Sequence, residues 1–257
     1  MTRPMRHPMR RPVRQRIRHR MRPPLRRNCA LLCLFAVTLG GTPLCPGSLT
    51  LAASQQPPKQ SGPPHGRLFP PLDLGLLEAP DRDMWQKPDQ IMDALGIADG
   101  SVVADIGAGA GWFTIRLARR VGPRGAVYAQ DVQRQMLEAI RRRVAKEGLK
   151  NVQTRLGQGS DANLPAGLDA VLVVDVYPEV DDRVSFLKNV ATSLKPGGRI
   201  GIVNYRSGRG GPGPSPEKDE GMRVEESVVE ADVKTAGLRV LARGTFLPYQ
   251  YLLVVGR

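Results

Sequence analysis

Three glycines at every second position follow a short apolar segment, and an acid precedes them. They are Gly107, Gly109 and Gly111, with Asp105 two residues ahead. Glycine lets the backbone turn tightly and lets a ligand approach it closely. A carboxylate at Asp105 would repel a pyrophosphate, whereas it would attract an ammonium or sulfonium group. The pattern favours a positively charged ligand over a dinucleotide, and the alternative is a tight turn that binds nothing.

Two more acids follow the next two apolar segments. Asp131 lies 20 residues after Gly111, where a carboxylate can accept hydrogen bonds from ribose hydroxyls. Asp161 could accept a hydrogen bond from an exocyclic adenine amine, with Ser160 or Ala162 supplying backbone contacts. The alternatives are a solvated turn acid for Asp131 and an Asx turn for Asp161.

A third group of polar side chains follows the fourth apolar segment and is predicted to face the reacting end of the pocket. Asp175 or Glu179 could orient or deprotonate a substrate. Tyr177 could form a wall of the pocket. The alternative for each of the three is a structural or capping role.

Alternating strands and helices are needed to bring these residues together. Apolar periodicity predicts strands over 101–106, 126–131, 152–156, 168–177 and 199–205. It predicts helices over 83–96, 112–121, 133–147, 181–194 and 222–237. The run over 168–177 is nearly all apolar, which is typical of a strand buried on both faces. The sequence KPGG before residue 199 predicts a turn.

This alternation predicts an α/β fold with a mostly parallel sheet and helices on both faces, in three αβα layers. Two further strands, over 238–247 and 249–257, are separated only by Pro248. So short a link favours a hairpin, in which one strand runs antiparallel to the others. Ligands of such sheets bind beyond the carboxyl ends of the strands, where the strand order reverses.

Histidine and cysteine are confined to the first 65 residues of the chain. The predicted domain therefore lacks the side chains for disulfides, Cys/His metal sites, cysteine nucleophiles and histidine bases. We predict no metal, and any proton transfer must use Asp, Glu, Tyr, Lys or water.

The formal net charge of +14 belongs to the N-terminus rather than to the domain. The first 27 residues contain eleven arginines and no acid, which leaves 27 basic and 24 acidic side chains elsewhere. A near-balanced domain gives little support for a nucleic-acid-binding face, so we expect no nucleic-acid partner.

The N-terminal region has the pattern of an export signal. An arginine-rich lead is followed by the apolar run 29–39 and a small-residue stretch, with plausible cleavage near Ala52 or Ala53. We therefore predict a signal peptide over 1–53, a Pro-rich linker over 54–80, a domain over 81–257 and an exported protein. The run is shorter than the roughly 20 residues of a spanning helix, so no membrane span is expected after cleavage. The alternatives are an organelle transit peptide, or a cytoplasmic protein that begins later, at Met21.

The motifs DIGAGAGWF, AQD, GSDANLP, VDVY and LKPGGRIGIV, in this order, resemble those of class I S-adenosylmethionine-dependent methyltransferases. The resemblance covers roughly residues 80–257 and is closest to the small-molecule type similar to quinone-biosynthesis methyltransferases. It implies a Rossmann-like, doubly wound sheet of seven strands and S-adenosylmethionine as cofactor. By this resemblance the three glycines would line the methionine and ribose, Asp105 would hold the amino group, Asp131 the ribose and Asp161 the adenine.

The function implied is methyl transfer to an unidentified, small-molecule acceptor. Many relatives have a histidine after the tyrosine of the fourth strand, where this chain has Pro178 and Glu179, so a histidine base is not available. Trp85 or Gln86 would close over the cofactor, and the alternative for Trp85 is a core position on an amphipathic helix. Tyr205 and the loop 206–222 would complete the acceptor side. The alternatives are a catalytically degenerate protein that binds the same cofactor, or a nicotinamide-dependent oxidoreductase. Asp105 and the glycine spacing count against the latter.

Overall fold

The computed structural model describes residue 75, residues 78–207, residue 211 and residues 223–257. The predicted signal peptide, most of the predicted linker and most of the loop 206–222 lie outside the described residues. The domain boundaries therefore stay predictions.

Seven strands form one sheet in the order β3-β2-β1-β4-β5-β7-β6. The pairs among β1 to β5 are parallel, whereas β7 runs antiparallel to both β5 and β6. The strands are β1 Val102–Ile106, β2 Ala126–Asp131, β3 Val152–Leu156, β4 Leu168–Val174, β5 Leu194–Tyr205, β6 Arg239–Gly244 and β7 Gln250–Gly256. The predicted α/β, Rossmann-like, mostly parallel sheet with a reversed C-terminal strand is confirmed.

Helices cover both faces of this sheet, so the three-layer arrangement is also confirmed. One apolar core joins β4 to α2 and α3 through residues such as Leu172, Met92 and Leu117. The other joins the opposite face of β4 to α5 and α6, with Val171 among its members. The helices are α1 Arg82–Gln86, α2 Pro88–Ala94, α3 Trp112–Val121, α4 Arg134–Lys146, α5 Arg183–Ser193 and α6 Glu226–Thr235.

The single helix predicted over 83–96 is wrong, because the structure divides it at Lys87. That residue takes a left-handed conformation, with φ of 46°, between α1 and α2. The ring of Pro88 disfavours a helical conformation for the residue before it, and proline suits the first position of a new helix. The chain therefore forms two short helices where one was predicted.

Three predicted strand limits are also wrong. The strand predicted over 238–247 ends at Gly244, so its link to β7 is longer than Pro248 alone. The fourth strand ends at Val174 rather than at residue 177, because Asp175 is left-handed with φ of 56°. The KPGG segment, predicted as a turn, lies inside β5, which begins at Leu194. The register of β4 and β5 shifts between Leu168 and Ala170, and this irregularity absorbs the two glycines.

The strand order reverses between β1 and β4, since β2 and β3 lie on one side of β1 and the later strands on the other. The segments after β1, β2 and β4 therefore meet at one edge of the sheet. Because β7 runs the opposite way, its first residue, Gln250, also lies at this edge, paired with the last residue of β5, Tyr205.

Candidate active site

The glycine turn joins β1 to α3 and needs glycine for two reasons. Gly107, Gly109 and Gly111 all have positive φ, at 63°, 52° and 79°. A Cβ on Gly107 would lie 2.1 Å from Cγ2 of Val176, which follows β4. The turn after β1 and the turn after β4 are thus in direct van der Waals contact at the point where the strand order reverses.

Asp105 lies beneath this turn and is 2% exposed. Its Oδ2 accepts a hydrogen bond of 2.6 Å from Oγ1 of Thr114 in the first turn of α3. Burial raises the pKa of Asp105 to about 7, although the Thr114 hydrogen bond and the charge of Arg82 act in the opposite direction. The acid therefore ties β1 to α3 and places a titratable group below the glycine backbone.

The end of β2 holds the glycine turn in place through two side chains. Oδ2 of Asp131 accepts a hydrogen bond of 3.0 Å from N–H of Gly109, and its Oδ1 accepts one of 2.8 Å from Gln133. Oε1 of Gln130 accepts a hydrogen bond of 3.2 Å from N–H of Gly107. Burial raises the pKa of Asp131. Beside this acid, Val132 is an apolar side chain that is 44% exposed.

No sequence motif indicated Gln130. The sequence feature related to it is Gly157, which directly follows β3. A Cβ on Gly157 would lie 1.8 Å from Nε2 of Gln130. That glycine leaves room for the Gln130 side chain to reach the turn.

The segment after β3 carries Asp161 and Ser160. Asp161 is exposed, and its Oδ1 accepts a hydrogen bond of 2.8 Å from N–H of Asn163, which is an Asx turn. Its backbone pairs with Gln158 in both directions. The structure thus shows the alternative considered for Asp161, and the adenine contacts of Asp161 and Ser160 stay predictions.

Asp175 lies directly after β4 in a conformation that is rare for a residue with a side chain. Nε2 of Gln250 donates to both carboxylate oxygens, at 2.9 and 2.8 Å. Its own N–H donates to the carbonyl of Val203 at 2.8 Å. Although it keeps some accessible surface, the surrounding protein raises the pKa of Asp175 to about 7, against the opposing effects of Arg82, Gln250 and Gln86.

Tyr177 does not form the predicted pocket wall. It is fully buried among core residues, with its ring against Phe186 and its hydroxyl donating to Oδ2 of Asp232 at 3.0 Å. The early end of β4 directs this side chain into the core between the sheet, α5 and α6. Its position corresponds to the structural alternative.

Glu179 lies at the end of a short 3-10 turn over Tyr177–Glu179 and is half-buried. Burial raises its pKa to about 7, and the negative charges of Asp131 and Asp175 add to the effect. Within the described part of the chain, no side chain donates a hydrogen bond to this carboxylate.

The four acids Asp105, Asp131, Asp175 and Glu179 act on one another electrostatically, so they form one cluster. A half-buried cation, Arg82 from α1, is attracted by two of them, and the partial burial lowers its pKa. Its guanidinium carbon lies 4.3 Å from the ring centroid of Trp112. No sequence motif indicated Arg82. Four acids against one cation make this edge of the sheet suited to a positively charged ligand.

Two features are absent from the described residues. No group of three or more His, Cys, Asp or Glu side chains among them could hold a metal ion. No helix in this part of the chain has the length and apolar character required to cross a bilayer.

Residues 103–198 match a family model described as a methyltransferase domain. The chain is 32% identical over 132 residues to nocamycin O-methyltransferase of Saccharothrix syringae, covering 51% of this chain and 45% of that protein. It is 29% identical over 128 residues to demethylmenaquinone methyltransferase of Lactococcus lactis subsp. lactis (strain IL1403), covering 49% of each. This chain therefore spans about half the length of the curated relatives it matches.

A solved structure agrees with these similarities. A SAM-dependent methyltransferase from Aquifex aeolicus aligns with a TM-score of 0.65 and 26% identity, over 73% of this chain and 98% of that one. The matched residues 103–198 run from β1 through the glycine turn and the acid cluster to the start of β5. Residues 103–198 thus match a methyltransferase domain, and the fold that contains them is similar to that of a SAM-dependent methyltransferase.

Proposed function

We propose that this protein transfers a methyl group from S-adenosylmethionine to a small-molecule acceptor. The observation that carries the proposal is the glycine turn, which Gln130 and Asp131 hold beside a cluster of four acids where the strand order reverses. Two relatives are named for small molecules, nocamycin and demethylmenaquinone. Their names support a small-molecule acceptor.

The residues present fit S-adenosylmethionine by charge and by hydrogen-bonding capacity. When bound, the cofactor supplies a methyl group that its sulfonium charge has already activated. Asp131 keeps lone pairs for ribose hydroxyls after accepting from Gly109 and Gln133, since a carboxylate can accept about four hydrogen bonds. Val132 offers an exposed apolar surface on which a planar base can stack. Oδ2 of Asp161 is oriented by the Asx turn and can accept from an adenine amine.

Glu179 is the better candidate for a base, if the acceptor atom carries a proton. Its pKa near 7 matches proton transfer at neutral pH, and its carboxylate is not engaged by a side-chain donor in the described residues. Asp175 is engaged by Gln250 and is better suited to electrostatic stabilisation of the ligand. Much of the acceleration in methyl transfer can come from positioning alone.

Binding and turnover test the proposal separately. Calorimetric titration should detect binding of S-adenosylmethionine and of S-adenosylhomocysteine, but no binding of NADH. Failure to bind the first two would overturn the assignment, and NADH binding would favour the oxidoreductase. Incubation of the protein with methyl-labelled cofactor and a panel of phenols, quinols and amines should then transfer label, and Glu179→Gln should lower turnover while leaving cofactor affinity nearly unchanged.

A degenerate, cofactor-binding protein is the second candidate, favoured by the burial of Tyr177 and the engagement of Asp175. Tight cofactor binding with no label transfer over the whole panel would favour it. Matching turnover by the wild type and Glu179→Gln would instead exclude Glu179 as the base.

We also propose that the protein is exported, to the periplasm or outside the cell, after removal of residues 1–53. The support is the sequence of the N-terminus alone: eleven arginines, the apolar run 29–39 and the small residues before Ala53. N-terminal sequencing of the protein recovered from each compartment tests it. A mature protein that starts at Met21 in the cytoplasm would overturn it.

A further inference from the structure

We propose that Gln250, supported by Gln86 and Arg82, is a positioning residue that holds Asp175 as an ionised hydrogen-bond acceptor at the edge of the site. The inference rests on the proposed function, in which the Asp175 charge faces a cationic cofactor. It assigns roles to a glutamine of β7 and to helix α1 that no motif of the domain indicates.

Four side chains form one hydrogen-bonded chain. Nε of Arg82 donates to Oε1 of Gln86 at 2.5 Å. Nε2 of Gln86 donates to Oε1 of Gln250 at 2.9 Å, and Nε2 of Gln250 donates to both oxygens of Asp175. Both glutamines are almost completely buried, at 0% and 1% exposure. The chain thus connects α1, the start of β7 and the end of β4, and its two central amides are shielded from solvent.

The chemistry of the two ends determines the direction of the chain. A guanidinium can only donate, and an ionised carboxylate can only accept. Each amide between them must therefore turn its oxygen toward Arg82 and its nitrogen toward Asp175. Reversing both amides would place an NH₂ group against the guanidinium, which leaves buried donors without acceptors. The donor-only end at Arg82 hence favours the ionised form of Asp175 three links away.

The backbone of Asp175 gives a second reason for such support. A non-glycine residue at φ of 56° is strained by about 1–3 kcal/mol, and such strain persists where neighbouring contacts over-determine it. Here the N–H of Asp175 is held by Val203 on one side and the carboxylate by Gln250 on the other. These contacts keep the side chain at the edge of the sheet.

Charged and titratable groups surround Asp175 from several elements. Arg82 from α1 favours its ionised form, whereas Glu179 from the turn after β4 opposes it. The hydroxyls of Tyr205 on β5 and Tyr251 on β7 complete the set, and the Tyr205 backbone also donates to the carboxylate. Without the Gln250 amide, burial and Glu179 would shift the balance toward the protonated acid.

Gln250→Met keeps the length and apolar volume of the side chain and removes its hydrogen bonds. Carbon-13 NMR of the full chain with labelled aspartate follows each aspartate carboxyl group through a pH titration. The signal that is present in the wild type and absent in Asp175→Asn belongs to Asp175. We expect the Asp175 titration to move to higher pH in Gln250→Met, and in the same direction by less in Gln86→Met. The matched control is Gln135→Met on the exposed face of α4. This substitution should leave the Asp175 titration unchanged.

Binding of S-adenosylmethionine gives a second readout. Its affinity near neutral pH should weaken roughly fivefold in Gln250→Met, as expected for a shift of about one pH unit, and recover at higher pH. An Asp175 titration that is the same in the wild type and both variants would overturn the proposal. If Gln250→Met does not fold, the Asp175 titration in Gln86→Met alone tests the proposal. Because the titration needs neither cofactor nor acceptor, its result is independent of whether the proposed methyl transfer is found.

Discussion

Val176 occupies the space that a side chain on Gly107 would need, so the turn after β4 rests directly on the turn after β1. The two turns belong to neighbouring strands and meet where the strand order reverses. This contact fixes the distance between the glycine backbone and Asp175. Its consequences can be measured by substitution.

Gly107→Ala should destabilise the protein and weaken S-adenosylmethionine binding. The new methyl group meets Val176, and alanine is strained at φ of 63°, so we expect a loss of about 2–4 kcal/mol in the free energy of unfolding. Urea denaturation and calorimetry measure the two effects. Gly148→Ala is the matched control, since φ there is 67° and no atom lies within 4 Å of the added carbon.

The control should lose only about 1 kcal/mol, the cost of the backbone strain, and should bind the cofactor normally. Adding Val176→Ala to Gly107→Ala should restore part of the lost stability, because it removes the clash. Equal losses at Gly107 and Gly148 would show that the contact with Val176 has no energetic effect.

Asp131→Ala should reduce cofactor affinity more than it reduces stability. It leaves the N–H groups of Gly109 and Gln133 without their acceptor, which costs about 1–3 kcal/mol, and removes the acceptor proposed for the ribose. Asp182→Ala is a useful comparison. That acid caps α5 by accepting from Ser185, so its loss should cost about 1 kcal/mol of stability without changing affinity. Unchanged affinity in Asp131→Ala would remove the ribose assignment.

The acid cluster should make the ligand-free protein less stable as the pH rises from about 4 to about 7. Asp and Glu titrate near pH 4 in the unfolded chain, whereas the pKa of Glu179 is raised to about 7 in the folded state. The folded state therefore binds more protons in this window, and its stabilisation is lost as pH increases through 7. Affinity for a sulfonium ligand should change in the opposite direction, increasing with pH as Asp105 and Asp175 ionise.

Glu179→Gln isolates this effect from the other titrating groups. The difference in unfolding free energy between the variant and the wild type should grow in favour of the variant from about pH 4 to about pH 7 and become constant at higher pH. Urea denaturation at a series of pH values measures it. A difference that is independent of pH would mean that Glu179 titrates normally.

Tyr177→Phe should leave cofactor affinity and turnover unchanged. It removes one buried hydrogen bond to Asp232, so a loss of about 1 kcal/mol in unfolding free energy is expected. Thermal unfolding and a methyl-transfer assay check the two expectations. A large fall in turnover with normal stability would restore the catalytic role that its place after the fourth strand suggested.

The residues at the strand ends could be predicted because their positions depend on local pattern. An apolar run followed by Asp105 or Asp131 indicates the C-terminal end of a strand. The C-terminal ends of parallel strands lie at one edge of the sheet. The orientation of Tyr177 could not be predicted in the same way. It depends on the left-handed conformation of Asp175, which shortens β4 by three residues relative to its apolar run.

The hydrogen-bonded chain at Asp175 was beyond prediction for another reason. Gln86 and Gln250 are separated by 164 residues, and they meet only because β7 inserts between β5 and β6. Periodicity shows which face of an element is apolar, but it does not show which strands become neighbours. The break at Lys87, by contrast, could have been predicted from Pro88.

The reversed direction of β7 has a consequence for the order in which parts of the domain fold during synthesis. A parallel last strand would begin at the far edge of the sheet, whereas β7 begins beside Asp175 and contributes Gln250 there. The Asp175 carboxylate of a nascent chain thus lacks its partner until residue 250 has left the ribosome. The rest of the sheet, including the glycine turn, can pair earlier, so the ligand-binding edge is the last part of the domain to become functional.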